Sequence, residues 1–356
     1  MPGQRQRWPR LMRPFFRTLI VSLALMGAAY GAPPDAAKRH YDRASDLFRQ
    51  GDFDGAVDAL KQSLAIDPRS AESYHLLGLV YFQGKKQPVE AAEALQRSLA
   101  LRPDSVEVLN HLADVYLAQG KSAEAERALT RAIAVAPRDE EAYLDLAKLY
   151  EARHDRAAAI RTYEALLGFR QDHVDAIFSV ASLYDAQGDS RRAQELLRKL
   201  VKTRPTHADG WYLLGRLAER ANDLVEASYA YRQAIAAKPN LVDAHYNLGF
   251  IYRSQGRLAD AAKEFQEVIR LRPEYAEAHM NLGVVYTSLN KLDEAEREYE
   301  TAIALKPDFV EAHYNLGVFY ELHRKDAGKA LAQYRKYREL GGKDDRVERI
   351  VGQGGR

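Results

Sequence analysis

The chain has no cysteine in its 356 residues. Disulfides and thiolate metal sites are therefore excluded, whereas the compartment stays open, because an oxidising one would also favour the loss of stray thiols. Proline is scarce, with 13 in all. Charge of one sign is lacking too: 52 basic residues face 50 acidic ones, for a net charge of +2. Such a balance leaves no footprint for nucleic acid or an anionic membrane surface. Catalytic patterns are also missing. There is no phosphate-binding glycine loop, no metal-binding histidine pair one helical turn apart in a recognised motif, and no nucleophile elbow. No catalytic residue, cofactor or metal ligand is assigned on this reading. Apolar residues, by contrast, make up 46% of the chain, enough for a packed core and too much for a disordered polypeptide.

Residues 1–31 read as an export signal. Arg5, Arg7, Arg10, Arg13 and Arg17 form a basic start without an acid, and "LIVSLALMGAAY" (19–30) is an apolar run too short for a comfortable membrane span. Ala29 and Gly31 are small residues ahead of a cut before Ala32. The alternative is an uncleaved anchor that holds the protein at a membrane, facing the periplasm. Cleavage would remove five arginines and no acids, leaving 47 basic against 50 acidic residues, or −3.

The rest of the chain is periodic. "HYNLGFIY" (245–252), "HMNLGVVY" (279–286) and "HYNLGVFY" (313–320) stand 34 residues apart. Pro68, Pro103, Pro137, Pro205, Pro239, Pro273 and Pro307 step by 35, 34, 68, 34, 34 and 34. The long step spans two units whose shared proline is Gln171, which predicts a looser joint there. The step of 35 holds one extra residue near "GKKQP". In each unit an aromatic or apolar residue, a Leu, a small residue and a Tyr share one helical stripe, as in Trp211, Leu214 and Gly215. A second stripe follows, as in Ala227, Tyr231, Ala234 and Ile235. Between them lies a breaker such as "QGK" (119–121), whose glycine suits a left-handed helix cap. Each unit is therefore helix, turn, helix. A glycine inside the first helix costs about 1 kcal/mol relative to alanine. Its recurrence at Gly78, Gly215, Gly249, Gly283 and Gly317 predicts that the large residue of the second helix packs on bare backbone there.

These residues are the signature of the tetratricopeptide repeat, and the chain resembles that family. Nine units begin near residues 37, 71, 106, 140, 174, 208, 242, 276 and 310, covering about 37–343. The resemblance implies an all-α fold, a right-handed α-α superhelical solenoid of about nine repeats with a concave inner face. The array is similar to the superhelical repeat region of O-linked GlcNAc transferases, without any catalytic domain. Arg43 and Ser63 depart from the pattern in the first unit, as suits an end repeat with a partly wet face, and "HRKDAG" is an insertion in the ninth. The tail, 344–356, either forms a short capping helix around Val347, Ile350 and Val351 or frays.

Residues beyond this framework are the candidates for function. Glu72, Glu107, Glu141, Asp175, Asp209, Asp243, Glu277 and Glu311 repeat at the second position of eight units. First-turn charge–dipole stabilisation explains them better than a cation site does. His245, His279 and His313 take a packing position, too far apart across repeats to share a metal. Asn247, Asn281 and Asn315 gain nothing in a helix interior. In the transferase arrays, asparagines at this place hold the main chain of a bound peptide; the alternative is that they bridge neighbouring repeats. If they hold a peptide, Asn281→Ala weakens partner binding with little change in melting temperature. Large side chains flank them at positions five and nine: Phe178, Tyr212, Tyr246, Phe250, Met280 and Tyr314. They either line a peptide groove or stack between helices.

The leading reading is an exported, non-catalytic scaffold or adaptor that binds a protein or peptide on its concave face, in the periplasm or secreted. The second is a self-associating, homo-oligomeric component of an envelope, secretion or polysaccharide-export assembly.

Overall fold

A computed structural model describes residues 35–353; the expected export signal lies outside them. The described residues form nine consecutive helix pairs and a final helix, with no strand among them. The chain divides into two compact units, the first ending at Thr162 and the second beginning at Tyr163.

The first unit opens with the pair Asp35–Gln50 and Phe53–Ile66. The second pair is Ala71–Leu79, continued by a π-helical turn Val80–Gly84, with Pro88–Leu101. The third is Val106–Ala118 with Ser122–Val135, and Glu140–Ala152 begins the fourth, whose second helix, Arg156–Phe169, spans the division. In the second unit, repeats five to eight are Val174–Ala186 with Ser190–Thr203, Ala208–Arg220 with Leu224–Ala237, Val242–Ser254 with Leu258–Leu271, and Ala276–Ser288 with Leu292–Leu305. Repeat nine is Val310–Phe319, a second π-helical turn Tyr320–Arg324, and Ala327–Glu339. The tail forms a helix, Asp345–Gln353, in which Val347 and Val351 are buried.

The breakers behave as their chemistry demands. Gly120, Gly188 and Gly256 take φ of +74°, +82° and +74°. His154, Asn222 and Asn290 occupy the same left-handed seat in other repeats, at φ near +60°. The joint at Gln171 is not looser: Arg170 donates to the Leu166 carbonyl at 2.9 Å and His173 to the Arg170 carbonyl at 3.1 Å. The proline-containing joint at 204–207 shows the same two bonds at 2.8 and 3.0 Å. The turn is set by these carbonyl contacts, which need no proline.

The helix-internal glycines meet the large residues expected of them. A Cβ on Gly215 would lie 2.7 Å from the Tyr231 ring, one on Gly317 2.6 Å from Tyr334, and one on Gly78 2.6 Å from Leu95. Gly249 and Gly283 stand likewise against Phe265 and Tyr299. In the second unit these four rings, all buried, form the spine of one continuous core. Ser63 corrects the idea of a wet end face. It is 1% exposed, and its hydroxyl donates to the Ala37 carbonyl at 2.9 Å and meets Ser73 Oγ at 3.0 Å. A buried serine is tolerated because its proton and one lone pair are used. Arg43 is exposed.

Candidate functional site

The recurring first-turn carboxylates all sit where the helix dipole favours them, from Glu72 in the second repeat to Glu311 in the ninth. The three histidines are buried at 5–8% exposure, and each is locked by two hydrogen bonds. His245 Nε2 donates to the Pro239 carbonyl at 3.0 Å while Nδ1 faces Glu264 at 2.6 Å. His279 repeats this with Pro273 and Glu298, and His313 with Pro307 and Gln333. Both ring nitrogens of His245 and His279 point at acceptors, which only the imidazolium satisfies fully. Burial pulls their pKa down, but the carboxylate and carbonyl outweigh it and the net shift is upward. The associated stability is complete below the unfolded value of about 6.5 and is lost as pH rises through the higher folded value. The double variant His245→Gln/His279→Gln should thus show a shallower fall in melting temperature between about pH 6 and 9. An unchanged slope would refute this account.

The asparagines follow a rule that spacing alone does not disclose. Position six of one repeat meets position five of the repeat before. Asn281 Nδ2 donates to the Tyr246 hydroxyl at 3.1 Å, Asn315 Nδ2 contacts Met280 Sδ at 3.3 Å, and Asn247 stands beside the Tyr212 hydroxyl. Asn247 also donates to the Tyr231 hydroxyl at 3.2 Å. All three therefore bridge neighbouring repeats, the alternative left open in the sequence. They are not equivalent. Asn281 is 2% exposed, gives its second proton to the Glu277 carbonyl at 2.8 Å, and accepts from Arg253 at 2.5 Å. Asn315 is half-buried, and its carbonyl oxygen has no hydrogen-bond partner among the described residues.

Tyr246, Phe250, Met280, Asn281, Tyr314 and Asn315 converge on one open cleft of about 580 Å³ in repeats seven to nine. Arg253, Val284, Val310, Glu311, Tyr337 and Asp344 complete its lining. Asn247, Phe178 and Tyr212 lie outside it. The aromatics both stack and line. Tyr246 lies against Tyr275 with ring centroids 5.2 Å apart, and Tyr314 against Tyr337 at the same distance. Phe178 and Tyr212 are half-buried against His207 and Tyr231. Phe250 is 43% exposed, with the Arg253 guanidinium 4.7 Å from its ring centre. Burial holds the Arg253 pKa below its ordinary value, so its charge is costly and its bond to Asn281 matters.

The first unit presents a different surface. Burial, then Asp145 and Glu141, push the Asp114 carboxyl up to about 7. Asn110, 4% exposed, donates to Asp139 at 3.0 Å and leaves its own carbonyl oxygen without a partner among the described residues. Nearby in sequence, His75 Nε2 and His111 Nδ1 meet at 2.9 Å. Burial lowers both imidazoles, to about 3 and about 4, so both are neutral at pH 7. The pair is hidden in the sequence because its members stand 36 residues apart, in two different repeats. The signal was there: they occupy the same five-to-six register as Tyr246 and Asn281.

Among the described residues no helix is long and apolar enough to cross a membrane. Nothing among functionally curated proteins matches the chain. Among solved structures, the C-terminal part of a TPR repeat-containing protein from Cytophaga hutchinsonii is similar at 16% identity and a TM-score of 0.50, over 77% of this chain and 98% of that one. MamA is similar at 26% identity, TM-score 0.44, over 48% and 94%. YrrB, described as a TPR protein with an unusual peptide-binding site, is similar at 22% identity, TM-score 0.48, over 52% and 96%. Family models described as TPR repeat match residues 44–84, 250–289 and 285–323. Others, described as tetratricopeptide repeat, match 84–149, 117–184, 181–242 and 230–263. Together these matches run unbroken from 44 to 323, over helix pairs with the glycine-on-ring packing described above, and the chain belongs to the tetratricopeptide repeat family.

Proposed function

We propose that this repeat scaffold is a non-catalytic adaptor that grips an extended segment of a protein partner in the cleft of repeats seven to nine. The observation that carries the reading is the convergence of the exposed Phe250 and half-buried apolar neighbours with an amide oxygen on Asn315 that has no partner among the described residues. An apolar wall takes the partner's side chains while the amide accepts a main-chain N–H. Asn281 supports the wall and is not a contact for the partner. The basic and then apolar start of the chain supports a place of action outside the cytoplasm, in the periplasm or beyond it.

Pull-down from cell envelope with the array tests the reading. The protein retained by the parent chain should be lost by at least about tenfold in Phe250→Ala, as for an aromatic anchor. Asn315→Ala should weaken capture less, and neither should unfold the array. Capture that ignores both substitutions removes the cleft from consideration. A second copy of the chain is the competing occupant. Light scattering across a concentration series separates it, since a self-associating array gains mass with concentration and Phe250→Ala would abolish the gain.

A further inference from the structure

We infer that the first unit carries a transition-metal site, formed by His75, Glu107 and His111, that clamps the second repeat to the third. One ligand atom from each lies within 4.8 Å of the other two. Among the described residues no other three histidine or acidic side chains come so close.

The three residues come from first helices of adjacent repeats: His75 from Ala71–Leu79, Glu107 and His111 from the helix Val106–Ala118. Glu107 and His111 are four apart, one turn of the same face. His75 arrives from the neighbouring repeat through the five-to-six register.

The geometry is close to what an ion needs. A tetrahedral ion with ligands at 2.0–2.1 Å holds its ligand atoms about 3.3 Å apart. The two nitrogens stand at 2.9 Å and must open by about 0.4 Å. The carboxylate has at most about 1.5 Å to close, and Glu107 is exposed, so its side chain can make that move. The rings are tilted by 39° with centroids 5.1 Å apart, so they are not locked in a face-to-face stack.

The proton count also works. Without metal, one facing nitrogen must carry the shared hydrogen. With metal, that hydrogen moves to the far nitrogen of the same neutral ring, and both facing lone pairs are free. No net proton is released by the imidazoles. Mixed imidazole and carboxylate ligands suit Zn²⁺ and its first-row neighbours, and three protein ligands leave a fourth position for water.

The test is calorimetric titration of the full chain with Zn²⁺. One ion per chain is expected, with a rise in melting temperature that follows from binding the folded state alone. His75→Ala and Glu107→Gln should each weaken binding by at least about tenfold, since even loss of an outer-shell partner costs that much. The exposed His154→Ala should leave the Zn²⁺ affinity and stoichiometry unchanged. Glu107→Gln keeps its shape at an exposed position, so it decides the question even where His75→Ala fails to fold. No stoichiometric uptake by the folded parent, or uptake undiminished in either variant, overturns the site.

Discussion

Replacing Tyr231 with Ala should destabilise the sixth repeat by about 3–5 kcal/mol. Tyr231 is 0% exposed and lies against Gly215, Tyr212 and the rest of the core spine. Its hydroxyl meets Glu219 at 2.6 Å and Asn247 at 3.2 Å. The substitution therefore opens a cavity and leaves a carboxylate and an amide without their partner. Gly215→Ala attacks the same contact from the other side. The new methyl would stand 2.7 Å from the ring, an overpacking worth about 1–3 kcal/mol. The gain in helix propensity, about 1 kcal/mol, offsets only part of that. In the Tyr231→Ala background the clash disappears, and Gly215→Ala should become stabilising. That reversal of sign, an interaction of more than about 1 kcal/mol, is the signature of direct packing. Trp211 offers a local reporter, since its indole donates to the Pro205 carbonyl at 2.9 Å, in the joint that leads into this repeat. The only other tryptophan is Trp8, so fluorescence-detected urea unfolding in a Trp8→Phe background follows this repeat. Additive effects of the two substitutions would show that glycine is there for some other reason.

Asn281→Ala should cost about 2–3 kcal/mol, through loss of a hydrogen bond to a charged group and a neutral bridge between repeats. This replaces the expectation, reasonable from sequence, that the asparagine is spare material on a binding face. Its amide is used fully by Tyr246, Glu277 and Arg253. Removing it strands a partly buried guanidinium whose charge is already disfavoured by burial. Asn315→Ala makes the control. Its one hydrogen-bond partner among the described residues is a thioether at 3.3 Å, a weak acceptor, and the expected loss is under about 0.5 kcal/mol. Hydrogen exchange of the amides in 242–288 would locate the difference. Equal destabilisation by the two substitutions would mean that the bridge through Asn281 contributes nothing.

Most of the fold could be read in advance because it is local. Helix stripes, caps and the glycine-on-ring contact all connect residues less than one repeat apart. Gly215 and Tyr231, separated by 16 positions, announce each other once the two stripes are drawn. The candidate sites could not be read in this way. Whether Asn281 faces solvent or Tyr246 depends on the offset between adjacent first helices, a property of stacking that no single repeat encodes. The same offset brings His75 to His111. Side-chain identity also intervenes: Arg253 donates to the oxygen of Asn281, whereas Thr287, 34 residues on, is occupied by the Gly283 carbonyl and the Tyr299 hydroxyl and leaves the Asn315 oxygen unused.

The two π-helical turns bear on how such an array can evolve by duplication. At 80–84 the Lys85 amide reaches back five residues to the Val80 carbonyl at 3.0 Å, and at 320–324 the Asp326 amide returns to Tyr320 at 2.9 Å. Each lies where its repeat departs from 34 residues, as a local widening of the helix that absorbs surplus chain. An indel that would shift the phase of every following copy is thereby confined to one loop. A lineage can lengthen or trim a single module at this point, and vary what that loop displays, while its neighbours keep step.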